Sequence, residues 1–156
     1  MAGTAAGISV DLSGRTALIT GASSGLGENF ARALAAAGAQ VVVAARRADR
    51  LDALVSELRA AGHAAHAVTM DVADPASVAA GFAAAVAAAG PINTLVANAG
   101  VATETMSLDQ PVADMDALLS VNLRGVMLTA QAAAQHMVAS GSPERGDGRI
   151  ILIGSI

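Results

Sequence analysis

The sequence predicts an α/β fold, a doubly wound parallel sheet of the Rossmann type with five strands and helices on both faces. Three observations carry that reading. Short apolar runs alternate with segments of helical periodicity along the chain. The runs lack the polar alternation of a sheet wetted on one face. The first run ends in a cluster of glycines, Gly21, Gly25 and Gly27.

Residues 15–20 (RTALIT) are a short apolar run that breaks at the glycine cluster, as a strand does. Leu26, Phe30, Ala33, Leu34 and Ala37 then recur at helical spacing, and Gly38 stops that helix. Residues 40–45 (QVVVAA) are strongly β-branched, the pattern of a strand buried on both faces. Leu51, Leu54, Val55 and Leu58 form an i, i+3, i+4, i+7 stripe closed by Gly62. A weaker strand follows over 64–70. Asp74-Pro75 opens the next helix, with Val78, Phe82 and Val86 on one face. Residues 92–97 are a fourth strand, and 100–111 a turn-rich link. A long helical segment runs from about 112 to 140, its apolar face carrying Met115, Leu118, Leu119, Val126 and Ala130. Residues 140–148 read as a polar loop, and 149–153 (RIILI) as a fifth strand. The order βαβαβαβαβ, joined by right-handed crossovers, gives a parallel sheet covered on both faces. Residues 1–156 form one domain, with no linker and no repeat beyond the βα unit.

Composition narrows the function. Of 156 residues, 54% are hydrophobic and 14% charged, a core-building balance that excludes disorder. The absence of cysteine excludes a disulfide framework, a thiolate nucleophile and a Cys-ligated metal. A net charge of −4, with two phenylalanines as the whole aromatic content, argues against nucleic acid as partner. Residues 1–10 carry no basic n-region before a long apolar run, so no secretory signal is expected. The most apolar helical stretch, 78–89, is interrupted by Gly81 and ended by Gly90-Pro91, short of the roughly 20 residues of a membrane span. A soluble cytoplasmic protein is expected. His63 and His66 have a metal-compatible spacing but no recognisable third ligand, so no metal site is expected. His136 is a lone helix residue.

The glycine turn, Thr20-Gly21-Ala22-Ser23-Ser24-Gly25-Leu26-Gly27, lies where a doubly wound sheet binds a dinucleotide. Gly21 allows the tight turn, Gly25 lets backbone approach a pyrophosphate, and Gly27 removes a Cβ that would hold the helix off the strand. Helix amides and the Ser23 and Ser24 hydroxyls can donate to phosphate oxygens. The glycines alone do no more than end a strand; their place before an amphipathic helix points to a dinucleotide. About twenty residues on, where a ribose-reading residue is expected, stand Arg46 and Arg47. Aspartate or glutamate there suits the 2′-hydroxyl of NAD(H), whereas guanidinium groups suit a 2′-phosphate, so NADP(H) is favoured over NAD(H). The other reading makes Arg47 and Arg50 solvated helix-start residues.

Taken together the motifs resemble the short-chain dehydrogenase/reductase family, in its N-terminal part. TGASSGLG over 20–27 is similar to its cofactor turn, implying cofactor contacts from Gly21, Ser23, Ser24, Gly25, Leu26 and Gly27. Asp71-Val72 resembles the pair that contacts adenine, and Asn98-Ala99-Gly100 the family's N-A-G. Val121-Asn122-Leu123-Arg124-Gly125 carries the active-site asparagine as Asn122, and RIILIGS over 149–155 leads to a catalytic serine at Ser155. The link over 103–109 falls, by resemblance, above the nicotinamide end. The family's basic residue inside the turn is absent, Ser23 and Ser24 standing in its place. Each residue has a plainer reading: Asp71 caps its own turn, Asn98 bonds nearby backbone, Asn122 faces solvent, and Ser155 merely follows a strand.

The resemblance implies hydride transfer between NADP(H) and an alcohol or ketone, the 3-oxoacyl type among them. The serine orients the carbonyl, a tyrosine exchanges the proton, a lysine lowers that tyrosine's pKa from near 10, and the asparagine steadies a water. The sequence holds no tyrosine, and all nine of its cationic residues are arginine. The chain alone is therefore expected to be inactive, the N-terminal portion of a longer enzyme whose Tyr-x-x-x-Lys lies downstream. The uncovered apolar run at 150–153 points the same way. The full-length protein is expected to be a homo-oligomer acting on a small alcohol or carbonyl compound. The alternative is a catalytically inert NADP(H)-binding half-domain or partner-binding module.

Overall fold

Val41, Val42 and Val43 are each 0% exposed, which requires cover on both faces of the strand that holds them. The computed structural model, which describes residues 10–104 and 108–154, has that cover. Strands β1 (Thr16–Thr20), β2 (Gln40–Ala45), β3 (Ala65–Thr69), β4 (Thr94–Ala97) and β5 (Arg149–Leu152) form one sheet in the order β3-β2-β1-β4-β5. Every pairing is parallel, with Leu18 opposite Val42 on one side and Leu95 on the other. Helices α1 (Gly25–Ala36), α2 (Ala48–Ala60) and α3 (Pro75–Ala89) follow the first three strands. Between β4 and β5 lie α4 (Val112–Leu119), a π-helical turn (Ser120–Gly125), α5 (Val126–Ala139) and the single-turn α6 (Ser142–Arg145).

Alternate strand residues feed two cores. Ile19, Val41 and Val43 pack with Ala31 and Ala35 of α1 and Leu51, Leu54 and Leu58 of α2. On the opposite face Leu18, Val42 and Leu95 pack with Val78 and Phe82 of α3 and Ala133 and Met137 of α5. Each fully buried side chain of this size contributes about 1.5–3 kcal/mol relative to exposure. Element types and order follow the sequence expectation. Among the described residues no helix is long and apolar enough to cross a membrane.

Three details differ. The buried stripe of α1 is Gly27, Ala31 and Ala35, whereas Leu26 is 61% exposed and Ala33 lies outside it. A helix seated this closely on a strand presents its smallest residues, and the larger Phe30 and Leu34 flank the contact. The segment expected as one helix is broken by the π turn, and α4 buries none of its residues. Met115 and Leu119 are exposed because, among the described residues, α4 packs chiefly on the π turn and not on the sheet; the core-facing stripe begins at Gly125 and continues through Thr129, Ala133 and Met137. The expected 140–148 loop contains α6. Ile150, Ile151 and Leu152 of β5 are exposed, as expected of an apolar run left uncovered, their strand pairing among the described residues with β4 alone.

Polar residues close the amino-terminal edge of the sheet. Buried Asn93 accepts hydrogen bonds from the Thr16 amide (3.0 Å) and the Thr94 hydroxyl (3.3 Å). His136 Nε2 accepts from the Ile92 amide at 3.1 Å, its ring 5.5 Å from that of Phe82. On the β2–β3 side, the Gln40 amide lies 2.9 Å from His66 Nε2. Burial, with the charge of Arg59 adding to it, holds His66 below its ordinary value of 6.5.

Two outcomes follow for the intact protein. Asn93→Ala strands the Thr16 amide in the core and lowers unfolding free energy by about 1–3 kcal/mol, with an unchanged denaturant slope in urea titrations. His66 is depressed in the folded state, so its contribution is complete above pH 6.5 and is lost as pH falls through the folded value. The stability difference between wild type and His66→Gln, followed by denaturation from pH 8 to about pH 5, therefore shrinks on acidification.

Candidate functional site

A cleft of about 340 Å³ opens at the carboxyl ends of the strands, where β1 adjoins β4. This is the switch point at which an open α/β sheet leaves room for a ligand. Its floor is the glycine turn. Gly21 has φ +68°, and a Cβ there would lie 2.7 Å from the Cα of Ala99. Gly25 has φ +60° with open space beside it. A Cβ on Gly27 would lie 2.4 Å from the Gly21 carbonyl oxygen and 2.6 Å from Asn98 Nδ2.

The turn is held from β4. The Thr20 hydroxyl accepts from the amides of Asn98 and Ala99, both at 3.1 Å, while Asn98 Nδ2 donates to the Thr20 carbonyl at 3.1 Å. Asn98 thus bonds the backbone of a different strand, 78 residues away, and not that of its own turn as the plainer reading has it, and it also lines the cleft. Ser24 is the N-cap of α1, yet its hydroxyl makes no capping bond. Among the described residues the first amides of α1 therefore lack a side-chain capping acceptor at the positive end of the helix dipole. Glu28, the acid of that first turn, pairs instead with Arg32 (2.6 Å), which also grips Glu57 of α2 at 2.8 Å. The guanidinium holds the Glu57 carboxyl below the usual range.

Arg47 crosses to the turn: Nη2 donates to Ser23 Oγ and Ser24 Oγ, each at 2.9 Å. It stands at the start of α2, as a helix-start residue, but its guanidinium is bound across the cleft floor. Arg46 lines the cleft without a hydrogen-bond partner among the described residues, and Arg50 lines a separate groove between α1 and α2. Asp71 accepts from the Ala73 amide at 3.0 Å, capping its own turn, and faces the cleft beside Val72. Asn122, exposed on the π turn, does more than face solvent. Its Nδ2 donates to the Val101 carbonyl and its Oδ1 accepts from the Val101 amide, both at 2.8 Å.

The structure thus brings Gly21, Ser23, Ser24, Leu26, Arg46, Arg47, Asp71, Val72, Asn98, Ala99 and Gly100 to one cleft. Gly27 lies buried, Gly25 stands at the exposed helix start, and Asn122 reaches the cleft through Val101. Ser155 lies outside the described residues, as do 105–107 of the link; Gln110 Nε2 donates to Thr103 Oγ1 across that link. Sequence reasoning gave no role to Thr20, although a threonine ending an apolar strand was a usable signal, nor to Arg124, for which no local signal exists.

A sequence model of short chain dehydrogenases matches residues 15–156. The chain belongs to that family. It is 40% identical over 145 residues to the oxidoreductase UcpA of Salmonella typhimurium, covering 93% of this chain and 53% of that protein. A short-chain type dehydrogenase/reductase from Mycobacterium marinum superimposes with a TM-score of 0.86 at 41% identity, over 93% of this chain and 57% of that one. A gluconate 5-dehydrogenase from Burkholderia cenocepacia, solved with NADP and tartrate, gives 0.84 at 41% identity, over 93% and 55%. The chain therefore spans about half the length of the relatives it matches.

In this member of the short chain dehydrogenase family, Gly27→Ala places a methyl against backbone on one side and Asn98 on the other. The expected result is a loss of about 1–3 kcal/mol of stability from overpacking, read by thermal denaturation.

Proposed function

We propose that this chain is the cofactor-binding, N-terminal part of an oxidoreductase that interconverts a small alcohol and its ketone with NADP(H) in preference to NAD(H). One observation carries the cofactor preference: the Arg47 guanidinium is held on Ser23 and Ser24, beside the uncapped amino end of α1. The fit to a dinucleotide is supported by three features. Backbone at Gly25 is open on its Cβ side. Among the described residues, the first amides of α1 have no side-chain capping acceptor. The two serine hydroxyls accept from Arg47 and so keep their own protons to donate. Gly21, Ser23, Ser24, Gly25, Leu26 and Gly27 would take the diphosphate region, Arg47 and Arg46 the 2′-phosphate, Asp71 and Val72 the adenine, and Asn98, Ala99 and Gly100 the nicotinamide side. When bound, the cofactor supplies or accepts the hydride.

For the rest of the reaction we assign Ser155 to orient the carbonyl and Asn122 to steady a water in the proton path while bracing Val101. Without tyrosine or lysine, these 156 residues lack the acid–base pair that the family resemblance implies and are not expected to turn over unaided. Loss of a positioned acid–base typically costs about 10²–10⁴ in rate. The exposed apolar face of β5 supports a domain that continues over it in the intact protein, which we take to be a cytoplasmic homo-oligomer. The 3-oxoacyl compounds are one substrate class within this reading. The same β5 surface favours a second reading, a module that holds NADP(H) or a partner strand without chemistry; turnover by the intact protein excludes it.

The cofactor assignment is tested in the intact enzyme by fluorescence titration. Arg47→Ala should weaken NADPH binding by about 10- to 100-fold, the range for charge-assisted hydrogen bonds, and leave NADH almost unchanged. Arg46→Ala, lacking the serine anchorage, should show a smaller loss of the same sign. Equal losses for both cofactors would show that neither arginine reads a 2′-phosphate.

A further inference from the structure

The π-helical turn touches both flanks of the cleft. On one flank, Asn122 holds the Val101 amide and carbonyl at 2.8 Å each, and Val101 lines the cleft. On the other, Arg124 Nη2 donates at 2.9 Å to the carbonyl of Ala73, in the loop whose Asp71 and Val72 line the opposite wall. Gly125 packs so tightly on that loop that a Cβ would lie 2.9 Å from both the carbonyl oxygen and the Cγ2 of Val72. A π turn is a costlier backbone than the α-helix around it and tends to occur at functional positions. Here its consequence is visible, since Asn122 and Arg124, two residues apart, point their hydrogen bonds at two different loops.

We propose that Arg124 is a positioning residue for the adenine end of the cleft. Its guanidinium fixes the loop over 71–73 to the same helical turn from which Asn122 holds Val101, so one rigid element sets the distance between the cleft's two walls. The inference rests on the cofactor reading above. Without Arg124, the Ala73 carbonyl turns to water, and the loop must be ordered by the nucleotide itself, which weakens binding. Asp71 still caps its turn through Ala73, so the wall loosens without being lost.

The test uses the intact enzyme, with Arg124→Met, Arg124→Gln and Arg124→Lys titrated against NADPH and against 2′,5′-ADP, which carries the adenosine end alone. The expected result is an equal loss of about two- to tenfold for both ligands in the methionine and glutamine variants, the range of a single hydrogen bond. The lysine variant, which keeps a cationic donor, should recover part of it. KM for the carbonyl substrate at saturating NADPH should stay at the wild-type value. Wild-type affinity for 2′,5′-ADP in Arg124→Met overturns the proposal, as does a lysine variant no better than the methionine one, or a parallel rise in substrate KM. Wild-type protein that binds neither nucleotide overturns this proposal and the cofactor reading together; an Arg124 result alone leaves that reading standing.

Discussion

The fold and the cleft both depend on a close approach of three backbone segments: the end of β1, the start of α1 and the end of β4. Gly27 sits where any side chain would strike the Gly21 carbonyl, and Gly21 where one would strike the Ala99 backbone. The hydrogen bonds of Thr20 and Asn98 are possible only at that separation. Because protein interiors are packed without spare volume, one methyl group at this junction would separate α1 from the strand and break the β1–β4 lock together. The same absence of side chains leaves the α1 amides facing the cleft.

Parallel pairing then converts sequence distance into proximity. Thr20 stands opposite Ala44, and the Ala22 amide donates to the Ala44 carbonyl at 3.2 Å. Residues just beyond the two strands are therefore neighbours, which is how Arg47 meets Ser23 and Ser24 at 2.9 Å. Arg32 ties the two helices that follow, through Glu57. An exposed pair of this kind contributes at most about 1 kcal/mol to stability. Its clearer effect is electrical, because it engages Glu28, which would otherwise place a carboxylate at the amino end of α1.

How much of this could be read beforehand depended on whether local sequence or tertiary contact decided each feature. Strands such as 40–45 were legible because burial on both faces leaves an unbroken apolar run. The glycine turn was legible because φ values near +60° at Gly21 and Gly25 exclude most other residues. The inward face of α1 was not, since Ala31 and Ala35 are chosen for small size and apolar periodicity points to the larger Leu26 and Phe30. The exposure of Met115 and Leu119 was equally hidden: an apolar stripe records what a helix is able to bury, not whether a surface lies opposite. The roles of Asn93 and Arg124 reside in partners 77 and 51 residues away, and no window of sequence contains both ends of those bonds. Asp71 and Asn98 were ambiguous between a structural and a binding role, and the structural part of each is now explicit.

The chain's net charge of −4 opposes an anionic ligand, and taken alone it argues against the proposed cofactor. Charge at a distance matters little here, because fields from exposed groups decay over about 8 Å at physiological ionic strength. Within that range the cleft holds the guanidinium groups of Arg46 and Arg47 and the positive end of α1. The opposing carboxylate, Asp71, accepts a hydrogen bond from the amide of Ala73. Glu28 and Glu57 both hydrogen-bond Arg32. The local field is therefore positive although the molecule is negative, and it is positive at the place where the backbone leaves its donors unsatisfied. In the NADP(H) reading proposed above, selectivity for a doubly charged 2′-phosphate over a hydroxyl would depend on that local balance. Its anchor is Arg47, whose guanidinium is already ordered by the serines before any ligand arrives, so the entropy of fixing a long side chain is spent in folding and not in binding.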